Sequence, residues 1–466
     1  MMKLDNKKLS GITALIIAVI LIITLFVLRV GVADNGNLQY VLEDIGIYDH
    51  QSTAGSGMYA DGFGVKDKSF SVGTGGLVYS LVKLLFPVDS VMYVWIPALI
   101  YMVMFIAGIF LFLRSMLGEN KTVNILMCIL AAVIIADSGY TALFNTPYTE
   151  GAFIAYLTLF AGLYVSAAKT GKIKYLILTG ITGMLFSASS IYASITGLLL
   201  GVSLLGFIKN SGVGKKVVAA TVSLIVILSS FYGFTVDKSG DAMKYNRIFY
   251  GILSFTENDE QALEDLGLDK NLAEYADIAS FDEKAQEFMK TQEFETVKEK
   301  ATILSVVKYY FSHSDEFLKA VKASLNNGTM IKSSYLGDYP VSSGKAGQIS
   351  KFWTLYSNLK PKVLPLTLPV LLVFVLGVII LSFSYKTKHN KKQGTGNVVY
   401  LLVAMALGCV LTLPVAVFQN GLSMIDFNMR SFNFIFDAVL FGAIVGGVNM
   451  MLSRQQELRE KYGVNQ

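Results

Sequence analysis

Cysteine, histidine and charge are all scarce in this chain. Its 466 residues include two cysteines, Cys128 and Cys409. Both fall inside apolar runs, so they read as packing residues within a membrane rather than a disulfide or a metal pair. The redox compartment stays open. The three histidines, His50, His313 and His389, lie far apart without ligand spacing, which argues against a zinc hydrolase. Charged residues make up only 16%, too few to cover soluble domains of this total length. The stretch "GVGKK" (212–216) lacks the full Gly-x-x-x-x-Gly-Lys-Ser/Thr pattern, which excludes a nucleotide P-loop. No fixed-period repeat or low-complexity tract appears, and no nucleic-acid partner is expected.

What fills the chain is apolar. Hydrophobic residues reach 53% and the mean hydropathy is +0.53, the composition of a membrane protein. The first run, Gly11 to Val30, is long enough to cross a hydrocarbon core of about 30 Å. No small-residue cleavage site follows it, so it reads as a retained span. Runs of sufficient length predict ten spans, near 11–31, 90–113, 122–138, 149–168, 174–190, 191–208, 216–236, 362–384, 398–418 and 432–452. The fifth and sixth are separated only by "SASSIYAS" (187–194), which reads either as a join between two short spans or as a break in a re-entrant pair.

Lys and Arg test the count, because they gather in the cytoplasmic connections. Lys3, Lys7 and Lys8 begin the set; Arg114 with Lys121, Lys169 with Lys172 and Lys174, and Lys209 with Lys215 and Lys216 follow; "KTKHNKK" (386–392) and a tail with Arg454, Arg459 and Lys461 complete it. Both termini are therefore expected on the cytoplasmic side of the membrane. The outer face receives a large first loop (32–89), a loop at 139–148, a segment over 237–361 and a short loop at 419–431. The organisation expected is a transmembrane module over 1–236, an extracytoplasmic helical subdomain over 237–361, and a second transmembrane module with a tail over 362–466. Within the subdomain, Asn258 with Gln261 resembles a capping box, Gly267 is placed to end the helix it starts, and Ser314 is a plausible N-cap. "GGLVYSLVKLLFP" (75–87) is too short to span and reads as an interfacial helix ended by Pro87.

Charge inside a bilayer is costly, on the order of 2.5–3.5 kcal/mol at its centre, and the spans keep their centres nearly free of it. Several polar residues instead fall at one depth, the outer boundary. Asp34 ends span one, Asp137 ends span three, Tyr148 and Glu150 start span four, and Arg430 and Asp437 flank the start of span ten. Each has an ordinary account. Pro147, Thr149 and Glu150 in "NTPYTE" suit a helix start, and Arg430 can pair with Asp426 or Asp437. Each also has a chemical one. Tyr148 and Glu150 at a span mouth can bind sugar hydroxyls or an acceptor, and the guanidinium fork of Arg430 suits a phosphate.

Taken together, the Asp at the start of a large first outer loop, about ten spans and "PYTE" at a span end resemble the GT-C superfamily of multi-spanning glycosyltransferases, which use lipid-phosphate sugars. More narrowly, "RVGVADNGNLQYVLEDIGI" (29–47), "YNRIFYGILSFTENDEQALEDLGLD" (245–269) and "SYLGDYPVSSG" (334–344) are similar to bacterial cell-surface glycan hexose transferases of the WsfD type. The resemblance implies an all-α integral membrane protein, a GT-C-like helix bundle with a helical extracytoplasmic subdomain. It implies Asp34 as catalytic base or acceptor-orienting group, with Arg430 on the leaving phosphate and Tyr148, Glu150 and Asp137 as substrate contacts. The donor implied is a polyprenyl-phosphate hexose, the acceptor a cell-surface glycan, and the outcome inversion. No cofactor is assigned and metal dependence is left open. The family pattern often continues Asn-Gly-Asp, where this chain has Asn37, so a second acid is not available there. Two other readings compete. A flippase for a lipid-linked glycan needs a polar path deeper in the bundle, and a non-catalytic assembly factor needs only the 237–361 surface.

Overall fold

The computed structural model describes residues 6–71, 76–209, 212–235, 239–388 and 393–462. Lys3, Gly75, the 236/237 boundary, His389 and the rest of the stretch to 392 lie outside the described residues. The chain is mostly helical. Among the described residues, eight helices are long and apolar enough to cross a membrane, or nine if one bent pair counts as a span. In chain order the apolar segments are α1 (Asn6–Val27), α2 (Trp95–Met116), the bent α3 (Lys121–Ile135 with Ser138–Asn145), α4 (Thr149–Thr170), α5 (Ile173–Ser187), α6 (Ile191–Ile208), α7 (Val213–Phe234), α8 (Leu368–Lys388), α9 (Thr395–Thr412) and α10 (Arg430–Gln456).

The expected ten full spans need correcting at two places. α3 bends by 46° at its break, because Asp137 leaves the helix and caps the next turn, accepting from Gly139 N at 2.8 Å. α5 has 15 residues, about 22 Å of helix at 1.5 Å per residue, short of the hydrocarbon core. It turns directly into α6 through Ser190, whose side chain accepts from Ala193 N.

α4 is the axis of the bundle. Buried residues make up 89% of its apolar window, against 22% for the peripheral α8. It meets α2 backbone to backbone: a methyl group on Gly162 would collide with the Gly108 carbonyl, so glycine is required for this approach. The basic connections gather at one end, where Asn6 donates to Gly118 O at 2.8 Å and Gly171 lies beside Gln393 and Lys215. Asp34, Tyr148 and Arg430 stand at the other end, under the long loops.

The first long loop holds structure that apolar patterning could not reveal. Strands β1 (Ile47–Tyr48), β2 (Gly62–Val65) and β3 (Val91–Tyr93) form an antiparallel sheet, with Ile47 opposite Val65 and Gly62 opposite Tyr93. The helix predicted over 75–87 runs Gly76–Lys83 and stops short of Pro87. Lys83 turns inward, fully buried, and donates to Ile45 O and Ser69 Oγ. In the segment over 237–361, Asn258 accepts from Gln261 N at 3.2 Å. Gln261 donates to Asp265 instead of reaching back, so only half of the capping box forms. Gly267 follows that helix at φ +72°, and the later helix restarts at Ser314 with His313 in the cap position.

That segment is locked to the bundle by a buried charge network. Lys360 Nζ lies 2.8 Å from Asp437 Oδ1 on α10 and donates to Asn433 Oδ1 at 2.5 Å. The same carboxylate accepts the hydroxyls of Tyr140 and Tyr356. Burial pushes the Lys360 amine down, and Asp437 opposes it. Removing one partner of such a pair strands the other charge. Lys360→Met is expected to cost about 3–5 kcal/mol, read as a lowered melting midpoint in detergent, and Lys360→Met with Asp437→Leu recovers most of it. A midpoint unchanged by the single substitution would refute the lock.

Candidate active site

The helix of span one ends in a wide turn over Ile23–Val27, after which Arg29 takes a left-handed conformation at φ +49° and the chain turns away. Asn145, the first residue of "NTPYTE", fastens this exit by donating to Leu25 O at 3.0 Å and Val30 O at 2.9 Å. Beyond it the chain pairs with the "SYLGDYP" stretch: Gly31 N donates to Asp338 O and Ala33 N to Gly337 O, both at 2.8 Å. Arg29 also bridges to Asp61 at 3.2 Å and donates to Ser342 Oγ.

Asp34 follows immediately. Its Oδ1 accepts from Gly36 N at 2.8 Å and Leu38 N at 3.2 Å, which closes the turn and caps the helix Leu38–Ile45. No described residue donates to its other oxygen. On either side of it, Tyr148 holds the backbone: the phenol accepts from Asn35 N at 3.0 Å and donates to Ala33 O at 3.4 Å. The charges of Asp34, Glu150 and Arg430 all act on this phenol, and burial pushes it well above its usual range, so it stays protonated.

Arg430 departs from its ordinary account. Asp437 is held by Lys360 and Asp426 accepts the Tyr335 hydroxyl, so neither pairs with it. Its guanidinium lies 4.3 Å from the centroid of the Phe427 ring, donates from Nη2 to Ser333 Oγ at 3.3 Å, and leaves Nε and Nη1 without a partner although the residue is 2% exposed. A buried cation with two idle donors is costly to a fold, and the charges of Asp426, Glu150 and Asp338 act on it in part compensation.

Glu150 opens α4, is buried, and accepts the Thr149 hydroxyl at 3.3 Å. It lines a cavity of about 130 Å³ shared with Asn35, Asn37, Tyr148, Tyr192 and Asn428. Asp34 and Arg430 do not line it. The Phe427 ring, which does, touches both the guanidinium and Tyr148, meeting Tyr148 edge-on at 5.0 Å. A larger cavity of about 830 Å³ runs between α2, α3, α4, α8, α9 and α10, and none of the five candidate residues lines it.

Four of the five thus meet around Tyr148. Asp137 does not: it is fully buried, and its second oxygen accepts from Ser357 N at 3.0 Å, which ties α3 to the neighbouring helix. Sequence reasoning missed Asn145, Ser333 and Asp338, although Asn145 and Asp338 stand in stretches it singled out. It also missed Tyr192. Among the described residues no three His, Cys, Asp or Glu side chains converge as a metal site.

A family model described as the YfdI N-terminal transmembrane domain matches residues 2–465. No curated protein matches the chain. A solved structure with similarity to it is the crystal structure of the Archaeoglobus fulgidus oligosaccharyltransferase tethered with an acceptor peptide containing the NVT sequon via a disulfide bond. The match has 12% identity and a TM-score of 0.41, covering 95% of this chain and 50% of that one, so this chain spans about half the length of that enzyme. The family match extends from the first span through α10, taking in every element that builds the site, and the chain belongs to the YfdI N-terminal transmembrane domain family.

Proposed function

We propose that this protein is a GT-C-type membrane glycosyltransferase that moves a hexose from a polyprenyl-phosphate sugar to a cell-surface glycan on the outer face of the membrane, with inversion. The observation that carries the reading is the pair of unfinished charges: Asp34 with one oxygen fixed by two backbone donors and the other unclaimed, and Arg430 buried with two idle N–H groups. One is a proton acceptor held in place, the other an anion site. The basic connections at the opposite end of the bundle support the outward placing.

In this reading the acceptor hydroxyl sits against the free oxygen of Asp34. As its oxygen attacks the anomeric carbon from the face opposite the phosphate, Asp34 takes the proton. The bond from the anomeric carbon to the phosphate oxygen breaks and its electron pair stays with the polyprenyl phosphate. Arg430 offsets the negative charge left there through its idle donors. Tyr148 positions Asp34 by bracketing its backbone, and Glu150 faces the substrate in the cavity. Asp137 belongs to the scaffold. The narrower likeness to the WsfD type rests on the "RVGVADNGNLQYVLEDIGI" and "SYLGDYPVSSG" sequences, which meet in space.

The test is direct. The purified protein in nanodiscs is incubated with polyprenyl-phosphate hexoses radiolabelled in the sugar and with fragments of bacterial surface glycans. Labelled acceptor, released polyprenyl phosphate and an inverted anomeric configuration by NMR are expected. Absence of transfer from every donor, with the protein folded, would overturn the reading.

A further inference from the structure

The turn between α5 and α6 is polar for a join inside an apolar bundle, and Ser189, Ser190 and Tyr192 line the cavity that also holds Glu150. Several buried hydroxyls in the molecule lack a partner, among them Ser187, Tyr192 and Thr196. Of all the buried polar atoms without a partner among the described residues, only the Tyr192 hydroxyl belongs to a residue that lines this cavity. Tyr192 is 3% exposed. Glu150 lines the same cavity.

A buried phenol without a partner is costly unless something else accepts or donates to it. A carboxylate that only accepts and a phenol free to donate form a matched pair for a ligand hydroxyl, which does both. The cavity has room for roughly ten waters at 10–15 Å³ each, the scale of the twelve heavy atoms of a hexose. It is walled by Phe427 on one side and by amide side chains on others, the mixture of ring faces and polar groups that suits a sugar.

We propose that Tyr192 and Glu150 form the hexose pocket of this protein, gripping one sugar hydroxyl between them, so that the α5–α6 turn sets which hexose is accepted. The inference rests on the reading above for the donor class, but its test does not need turnover. Binding is measured as stabilisation of the full-length protein by polyprenyl-phosphate glucose, mannose and galactose, with sugar-free polyprenyl phosphate as the control.

Wild-type protein is expected to bind one of the sugar-bearing lipids more tightly than the control. Tyr192→Phe is expected to weaken that preference roughly 2- to 10-fold, and Glu150→Gln about tenfold or more, while the affinity for the sugar-free lipid is unchanged. Because the Tyr192 hydroxyl is buried without a protein partner, the unliganded melting midpoint of Tyr192→Phe is expected at or above the wild-type value. Equal binding of sugar-bearing and sugar-free lipid by the wild type would overturn the proposal and leave water as the partner of Tyr192. So would a preference that survives both substitutions. A sugar preference that both variants lose, in a protein that transfers nothing, sustains the pocket and removes the transferase reading instead.

Discussion

Under the proposed reading, Asp34→Asn is expected to lower hexose transfer by about 10²- to 10⁴-fold, the range for loss of a general base, in a protein that still inserts and melts like the wild type. The substitution is clean because Asp34 divides its work between two oxygens. Oδ1 closes the turn by accepting from Gly36 and Leu38, and an asparagine carbonyl does the same. The other oxygen becomes an amide, which donates where a proton must be accepted. Structure is retained and chemistry is lost. Asp34→Glu gives the complementary control: it keeps a carboxylate but displaces it, so it recovers only part of the rate. The measurement is initial rate at saturating donor in nanodiscs, with the melting midpoint recorded on the same samples. Transfer within threefold of wild type in the Asn variant would remove Asp34 from the chemistry.

The second large effect falls at Arg430, and its signature is a split between activity and stability. Arg430→Met lowers transfer by about 10²- to 10³-fold, the scale seen when a donor to developing negative charge is removed. The same change is expected to leave the melting midpoint close to wild type. The reason is in the bonding: the guanidinium is buried, makes one hydrogen bond to Ser333 and leaves Nε and Nη1 idle, so methionine relieves a desolvated charge, offset by the counter-charge that Asp426, Glu150 and Asp338 lose. The lost stacking on Phe427 is worth about 0.5–2 kcal/mol, less than a stranded charge. Arg430→Lys keeps the charge without the planar fork and gives an intermediate rate. A structural arginine would behave oppositely, with stability falling and rate following it. A Met variant that transfers normally would dismiss the anion role.

Hydropathy located the apolar segments because burial in lipid is written into every residue of a span. It overestimated the full crossings because it does not register the direction of the chain: Asp137 looks like a helix end in the sequence and is the hinge of a broken helix in the structure. The three strands of the first loop were illegible, since two to four residues are too few for an alternating pattern to emerge. At the site, the residues that supply charge were legible as carboxylates and a cation at one membrane depth. Their partners were not. Sequence proximity offered Asp426 and Asp437 to Arg430, yet both are taken by Tyr335 and Lys360, which arrive from residues 335–360. Tyr192 was invisible for the same reason, as an aromatic at a helix start is ordinarily packing, and only the cavity reveals that its hydroxyl has nothing to bond.

The pairing of residues 31–33 with 337–338 has a mechanical consequence. Ser333, which takes the one hydrogen bond of Arg430, lies four residues before Gly337, which receives the amide of Ala33 beside Asp34. Lys332 and Asp338 close this stretch into a ring through their ion pair, and Ser350 joins both. Asp34 and Arg430 are therefore tethered to one strap. A substitution that loosens the strap, such as Lys332→Met, which removes the ion pair to Asp338, is therefore expected to disturb the surroundings of both residues together, whereas Tyr148 holds only the Asp34 side.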